Sequence, residues 1–188
     1  MKIQDDFIRN SFYLDTLFDL ITSPSVKQII GGELYYYSVM GLKNRQYSPT
    51  DATLQQLINS GSLRYFRNTE LIKVIAMYEQ TLRASIRAEE SSITILNELR
   101  KTQTRIYNFK LLGKMNNWSL QNKHDSVLEY KKMNLPLLTY DPALLAEFSN
   151  WAHLRRGNNI GGRVRSYNAI LEISRKLVQL LKKEYHLK

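Results

Sequence analysis

Hydrophobic residues recur along this chain at intervals of three and four, which is the spacing of one face of an α-helix. The opening segment, about 4–22, shows the pattern with Phe7, Leu14 and Ile21 among its apolar positions. No run alternates β-branched and polar residues in the manner of a strand. The pattern therefore predicts an all-α fold, an irregular helical bundle formed by a single domain over residues 1–188.

Two long helices dominate this predicted bundle. Residues 69–112 contain neither Gly nor Pro, which permits one helix of about 65 Å at 1.5 Å per residue. The second is predicted over about 163–187, where apolar residues cover more than half of the circumference and indicate packing against more than one neighbour. Glu89 falls on the apolar stripe of the first helix, which favours a kink or an exposed segment near that residue.

Capping residues delimit the shorter helices. Ser48, followed by Pro, is predicted to begin a helix that Gly61 ends in a left-handed conformation. Asn68 is expected to cap the first long helix, and Asp141 a helix that continues to Gly157. A further helix is predicted over about 119–133, where the apolar side is thin.

Charge is the feature of composition that changes this picture. The chain has 27 Lys and Arg against 17 Asp and Glu, a net charge of +10. The first hundred residues are neutral, so the whole excess lies in residues 101–188, and +7 of it lies in residues 151–188. The absence of cysteine excludes disulfides and thiol chemistry. No segment is apolar enough to cross a bilayer, so the chain as given is expected to be soluble.

The residues that carry most enzyme chemistry do not form a recognisable constellation. The three histidines, His124, His153 and His186, are far apart in sequence and lack metal-ligand spacing. No Gly-x-Ser-x-Gly nucleophile motif is present. We therefore expect a non-enzymatic protein without catalytic residues, cofactor or metal.

The glycine-rich stretch 157–165 is the most suggestive short motif. Glycines that lead into a helix N-terminus beside arginines are able to hold a phosphate through backbone amides. A plain turn between helices is the alternative. The candidate anion-binding residues are Gly161, Gly162, Arg163, Arg165, Arg175, Lys176, Lys182 and Lys183. The cations on the last helix are typical of a phosphate-binding helix, or else form a solvated outer face.

Three stretches also carry a family resemblance. They are TLQQLINSGSLRYFRNTEL at 53–71, followed by YE at 78–79, then LLTYDP at 137–142 and LLKKEY at 180–185. Together they resemble an uncharacterised family of bacterial membrane-anchored helical proteins. The resemblance implies one N-terminal transmembrane helix, absent from this chain, and a helical domain in the periplasm or elsewhere in the cell envelope. It implies no activity and no catalytic residue.

These observations lead to two functional hypotheses. The first is a protein-interaction or sensory domain of the bacterial cell envelope, which binds a protein partner or self-associates through the helix at 69–112. The alternative is an anion or nucleic-acid binding module that uses the basic C-terminal helix.

Overall fold

The computed structural model describes residues 3–115 and 125–186 of the chain, and in these residues it is all-α with no strand. The helices are α1 (Ile3–Thr22), α2 (Gly31–Gly41), α3 (Ala52–Asn59), α4 (Thr69–Ile106), α5 (Phe109–Met115), α6 (Asp125–Lys131), α7 (Pro142–Gly157) and α8 (Arg165–Tyr185). Short 3-10 turns lie at Val26–Gln28 and Ser62–Tyr65. The all-α bundle predicted from periodicity is confirmed.

Helices α7 and α8 are joined without a break. A π-helical segment, Asn158–Val164, connects them into one helix of 44 residues. The prediction that a turn or loop at 157–165 separates two helices is therefore wrong. Among the described residues only Gly61 and His186 have positive φ, so no residue in the glycine-rich stretch takes the left-handed conformation that ends a helix. His186 ends α8 in this way, and residue 187 lies outside the described residues.

Three of the predicted caps are confirmed. The Asn68 side chain accepts hydrogen bonds from two backbone amides of the first turn of α4, and Asp141 does the same for α7. Gly61 has φ +67° directly after α3. The predicted start at Ser48 is wrong, because α3 begins at Ala52 and residues 48–50 are not helical.

Helix α4 is one uninterrupted helix from Thr69 to Ile106. The helix thus continues without interruption through Glu89, and the exposed segment predicted there as the alternative to a kink is wrong, because Glu89 is buried. The helix ends six residues before the predicted position 112, because Tyr107 is extended, at φ −107° and ψ 143°. The Asn108 side chain then accepts from the amide of Lys110, which starts α5 in a new direction.

The helix predicted at 119–133 is found in its second half as α6. Its first part, with His124, lies outside the described residues. The segment that follows α6 packs closely against the start of α2, where a Cβ on Gly31 would lie 1.7 Å from the carbonyl oxygen of Leu135. Only glycine permits this approach, so Gly31 and Gly32 allow the start of α2 to pack directly against the backbone of residues 130–135.

The helices pack into two regions of unequal size. The body contains α1, α2, α5, α6, α7 and the C-terminal half of α4, around a core that includes the fully buried Leu99, Tyr107 and Phe148. The arm contains α8, the N-terminal half of α4 and the neighbouring α3. Its core includes the buried residues Val74, Leu82, Ile170 and Ile173. None of the described helices combines the length and hydropathy that a membrane span requires.

Candidate functional site

The π-helical segment directs polar side chains into the protein, where body and arm meet. Asn159 and Arg163 are spaced four residues apart and are 0% and 1% exposed. Gly161 and Gly162 lie inside this continuous helix, so the free helix N-terminus that an anion site would use is not formed there. The structure thus contradicts the geometry assumed for the glycine-rich anion site.

Arg163 forms a two-point ion pair with Glu89 of α4. Its Nε lies 2.9 Å from Glu89 Oε1 and its Nη2 lies 3.0 Å from Oε2. Nη1 donates to Asn159 Oδ1 at 3.2 Å, and the guanidinium carbon lies 3.6 Å from the centre of the Phe7 ring. A planar guanidinium matches a carboxylate in this side-by-side geometry. The pair therefore links α4 to the long C-terminal helix at a water-excluded point.

Arg155 is a second buried guanidinium, two turns away on the same helix, and it has no carboxylate partner among the described residues. It is 1% exposed. It donates to the backbone oxygen and the hydroxyl of Ser92, and to Asn44 Oδ1 at 2.8 Å. Burial, and next the charge of Arg163, lower the pKa of Arg155. This part of the protein therefore buries two guanidiniums against the single carboxylate of Glu89.

The segment 43–45, which follows α2, is fixed by three successive hydrogen bonds. Asn10 donates to the carbonyl oxygen of Lys43 at 2.7 Å. Arg155 donates to the side chain of Asn44, and Arg163 donates to the carbonyl oxygen of Arg45 at 2.6 Å. The two buried arginines thus position a surface segment that has no regular secondary structure.

Sequence reasoning missed this network although one signal was present. Glu89 falls on the apolar stripe of its helix, a position that predicts a kink or an exposed segment when the sequence is taken alone. On the other helix the inward positions continue from the apolar Phe148 and Ala152 through Arg155, Asn159 and Arg163 at intervals of three and four. One helix thus has arginines at inward positions that continue an apolar stripe, and another helix has a glutamate on its apolar stripe. Together these two patterns indicate a buried ion pair.

The other predicted anion-binding residues are on the surface. Arg165, Arg175, Lys176, Lys182 and Lys183 are all exposed on α8, whereas Arg163 points inward. Lys176 pairs with Glu70 at 3.2 Å. The structure therefore groups five of the predicted cations along α8 and separates them from Arg163.

Helix α8 carries two apolar seams, each with the spacing of three and four that coiled coils use. The inner seam, Ile170, Ile173, Leu177 and Leu180, packs against α4. The outer seam consists of Leu171, Ser174, Val178, Leu181 and Tyr185. In the described part of the chain no helix besides α4 runs alongside α8. Val178 and Tyr185 are accordingly 51% and 52% exposed.

The stretches that carry the family resemblance lie at helix ends. Residues 53–71 span α3, a 3-10 turn and the start of α4, while 137–142 lead into α7 and 180–185 close α8. The family resemblance and the envelope location that it implies stay predictions. Comparison with models of protein families, with curated proteins and with solved structures finds no match to this chain.

Proposed function

We propose that this chain is a non-enzymatic interaction module, and that its partner is a protein that lays an acidic amphipathic helix along the outer seam of α8. The observation that carries the proposal is that α8 has two heptad-spaced seams, of which α4 fills one. Apolar residues over more than half of a helix favour two neighbours. The second neighbour is then supplied by a partner.

The outer seam resembles the contact line of a coiled coil. With Leu171, Val178 and Tyr185 at one heptad position, Ser174 and Leu181 take the other. The Ser174 hydroxyl donates to the carbonyl oxygen of Ile170, so this small polar residue leaves no unpaired donor on the seam. Tyr167, one turn earlier, already packs against Phe7 and Tyr47, which marks the end of the accessible stretch.

Charge favours an acidic partner. Arg175 and Lys182 are seven residues apart and directly border the outer seam, at the heptad position where coiled coils select partners by charge. Neither forms an ion pair with a described residue. A partner helix with Glu or Asp at the facing positions gains complementary pairs, whereas a basic helix meets like charge.

The same charges argue against a second copy of this chain as the occupant. In an antiparallel pair of α8 helices, Arg175 and Lys182 of one copy face those of the other. The self-association predicted through the helix at 69–112 also loses support, because α4 packs against both α7 and α8 along its length. The proposal therefore moves the interaction surface from α4 to α8 and from self-association to a different protein.

The test uses two synthetic helical peptides with leucine at the seam positions, one with glutamate and one with lysine at the flanking positions. Fluorescence anisotropy measures their binding to the full chain. We expect the acidic peptide to bind and the basic peptide to bind at least tenfold more weakly. Equal binding of both peptides, or of neither, overturns the proposal.

Variants locate the binding surface. Val178→Asp places a charge on the outer seam and is expected to abolish binding of the acidic peptide. Lys182→Glu is expected to weaken it roughly fivefold, since rim ion pairs contribute about 1 kcal/mol or less. Lys183→Glu is the matched control, because Lys183 lies on the opposite side of α8 and its substitution leaves the seam unchanged. Equal effects of Lys182→Glu and Lys183→Glu contradict a seam-specific site.

Two further measurements separate the other hypotheses. Light scattering coupled to size exclusion should give a monomer, and a dimer that Val178→Asp dissociates would assign the seam to a second copy. Retention of DNA or RNA at low salt, lost on substitution of Arg165 or Lys183, would favour the nucleic-acid alternative instead.

A further inference from the structure

A groove of about 900 Å³ lies in the body, away from the outer seam. It is bordered by the C-terminal end of α2 and the residues that follow it, by the C-terminal third of α4 and by α5. Its apolar lining consists of Val39, Leu42 and Leu112, which are buried, and the half-buried Phe109. The volume falls within the range of about 300–1,000 Å³ that is usual for small-molecule sites.

Basic and polar side chains line the rest of this groove. Lys43 and Arg100 form no ion pair with a described residue, while Lys101 pairs with Glu98 at 2.6 Å. Thr94, Asn97 and Thr104 add hydroxyl and amide groups. The groove thus has an apolar wall and an excess of positive charge, and two of its cations are available to a ligand.

The buried arginines strengthen this positive field. Asn44 lines the groove and at the same time accepts the hydrogen bond from Arg155. The charge of Arg100 is one of the causes that lower the pKa of Arg155, after burial and the neighbouring Arg163. Burial, and next the charge of Arg9, lower the pKa of Lys43. An anion in the groove relieves this accumulation of positive charge.

We propose that the groove binds an amphipathic organic anion, with its carboxylate or phosphate group at Lys43 and Arg100 and its aliphatic or aromatic part against Val39, Leu42 and Phe109. Charge complementarity selects the anion, and the buried apolar wall selects the body of the ligand. The segment 43–45 is held in place by Asn10, Arg155 and Arg163, so Lys43 is presented from a fixed backbone. This site is independent of the outer seam of α8.

Isothermal titration of the full chain with four probes tests both halves of the proposal. Laurate and dodecyl phosphate, kept below their micelle concentrations, are expected to bind, and their relative affinities identify the preferred headgroup. Dodecyltrimethylammonium has the chain with the opposite charge, and inorganic phosphate has the charge without the chain. Both are expected to bind at least tenfold more weakly than dodecyl phosphate. Equal binding of either one overturns the proposal.

Substitutions locate the site. Arg100→Gln and Lys43→Gln are each expected to raise the dissociation constant for the better anion about tenfold, because a charge-assisted contact is removed. Arg87→Gln and Lys73→Gln are matched controls on exposed parts of α4 outside the groove. We expect both controls to bind as the unmodified chain does. Equal losses in the controls and the groove variants, or no loss in either, contradict this site. Binding of the acidic peptide to α8 is expected to stay unchanged in Arg100→Gln, which separates this site from the seam.

Discussion

Body and arm are built from the same two long helices, yet the body buries many more apolar side chains than the arm. In the body, α1 packs against α2 and α7, α7 packs against α4, and side chains such as Leu99 and Phe148 are fully buried. In the arm, α8 lies against α4 with little else beside it, so Leu82 between the two helices is buried whereas Val178 on the far side of α8 is half exposed. Two helices alone bury one face of each, which shows why the arm retains an apolar seam that a partner is able to fill.

The boundary between the two regions is polar. The pair of Glu89 and Arg163 lies where α8 leaves the body, and the equally buried Arg155 lies two turns earlier on the same helix. Burial of charge is costly unless every group is paired. We therefore expect substitutions to change the free energy of unfolding most at this boundary, less within each region, and least at the exposed charges of the arm.

The largest effect is expected from Glu89→Ala. This substitution leaves the buried guanidiniums of Arg163 and Arg155 without a carboxylate, and removal of one partner of a buried pair costs about 3–5 kcal/mol. Urea denaturation measures the change in the free energy of unfolding. Glu90→Ala, at the exposed neighbouring position, is the control and should change it by about 0.5 kcal/mol or less. A loss below about 1 kcal/mol for Glu89→Ala would contradict a structural role for the pair.

Two leucines of different burial, one in each region, test how strongly packing stabilises body and arm. Leu99→Ala in the fully buried core of the body is expected to cost about 3 kcal/mol, within the range for buried leucines. Leu177→Ala on the half-buried inner seam of the arm should cost about 1 kcal/mol, because less area is removed from contact. Chemical denaturation of both variants gives the ratio. Equal losses would show that the arm is packed as tightly as the body.

Alkaline pH should lower the free energy of unfolding, because several tyrosines are buried. Burial raises the pKa values of Tyr35, Tyr47, Tyr107 and Tyr167, and raises that of Tyr36 to about 12. Unfolded tyrosines lose their protons near pH 10 while these keep them, so the free energy of unfolding falls as pH rises from 10 towards 12.

Arg155 acts in the opposite direction. Its pKa is lowered, to about 9, by burial first and then by Arg163, so the unfolded chain keeps this proton longer and the contribution to stability rises with pH. The tyrosines outnumber it, and a net fall is expected in thermal melts between pH 9 and 12. Tyr107→Phe should make the fall shallower. A stability that rises over this range would show that Arg155 dominates.

The smallest effect on stability is expected at the exposed charges of the arm. Lys176 pairs with Glu70, and both side chains are more than half exposed. Exposed ion pairs contribute little, so Lys176→Ala should change the free energy of unfolding by about 0.5 kcal/mol or less. Denaturation at low and high salt checks this, since any contribution should vanish with screening. A change above about 1 kcal/mol would place this pair with the buried network instead.

Local signals in the sequence predicted a large part of the fold. The periodicity gave the helical class, and Asn68, Gly61 and Asp141 were identified as caps because each side chain or φ angle acts on its own helix end. The prediction failed at Gly161 and Gly162, which were interpreted as a turn. Glycine permits a helix end but does not require one, and here neighbouring helices keep the chain helical.

The candidate sites depended more on tertiary structure. The amphipathic pattern of α8 predicted more than one neighbour, but only the packed chain identified which seam is filled. The groove is not predicted from the sequence, because Lys43 and Arg100 are remote in sequence and line one cavity only in the folded chain. Side chains on different helices that share one site have no fixed spacing in the sequence, so no local pattern predicts them.

The sequence by itself determined where helices form, where most of them end, and that the positive charge lies in the second half of the chain. These properties follow from contacts within a few residues and from composition. The tertiary structure decided that Glu89 and Arg163 are partners, that α7 and α8 are one helix, and that an apolar seam and a basic groove stay accessible. Each of these features depends on which helix faces contact one another across long sequence separations. Close packing of the whole core determines those contacts.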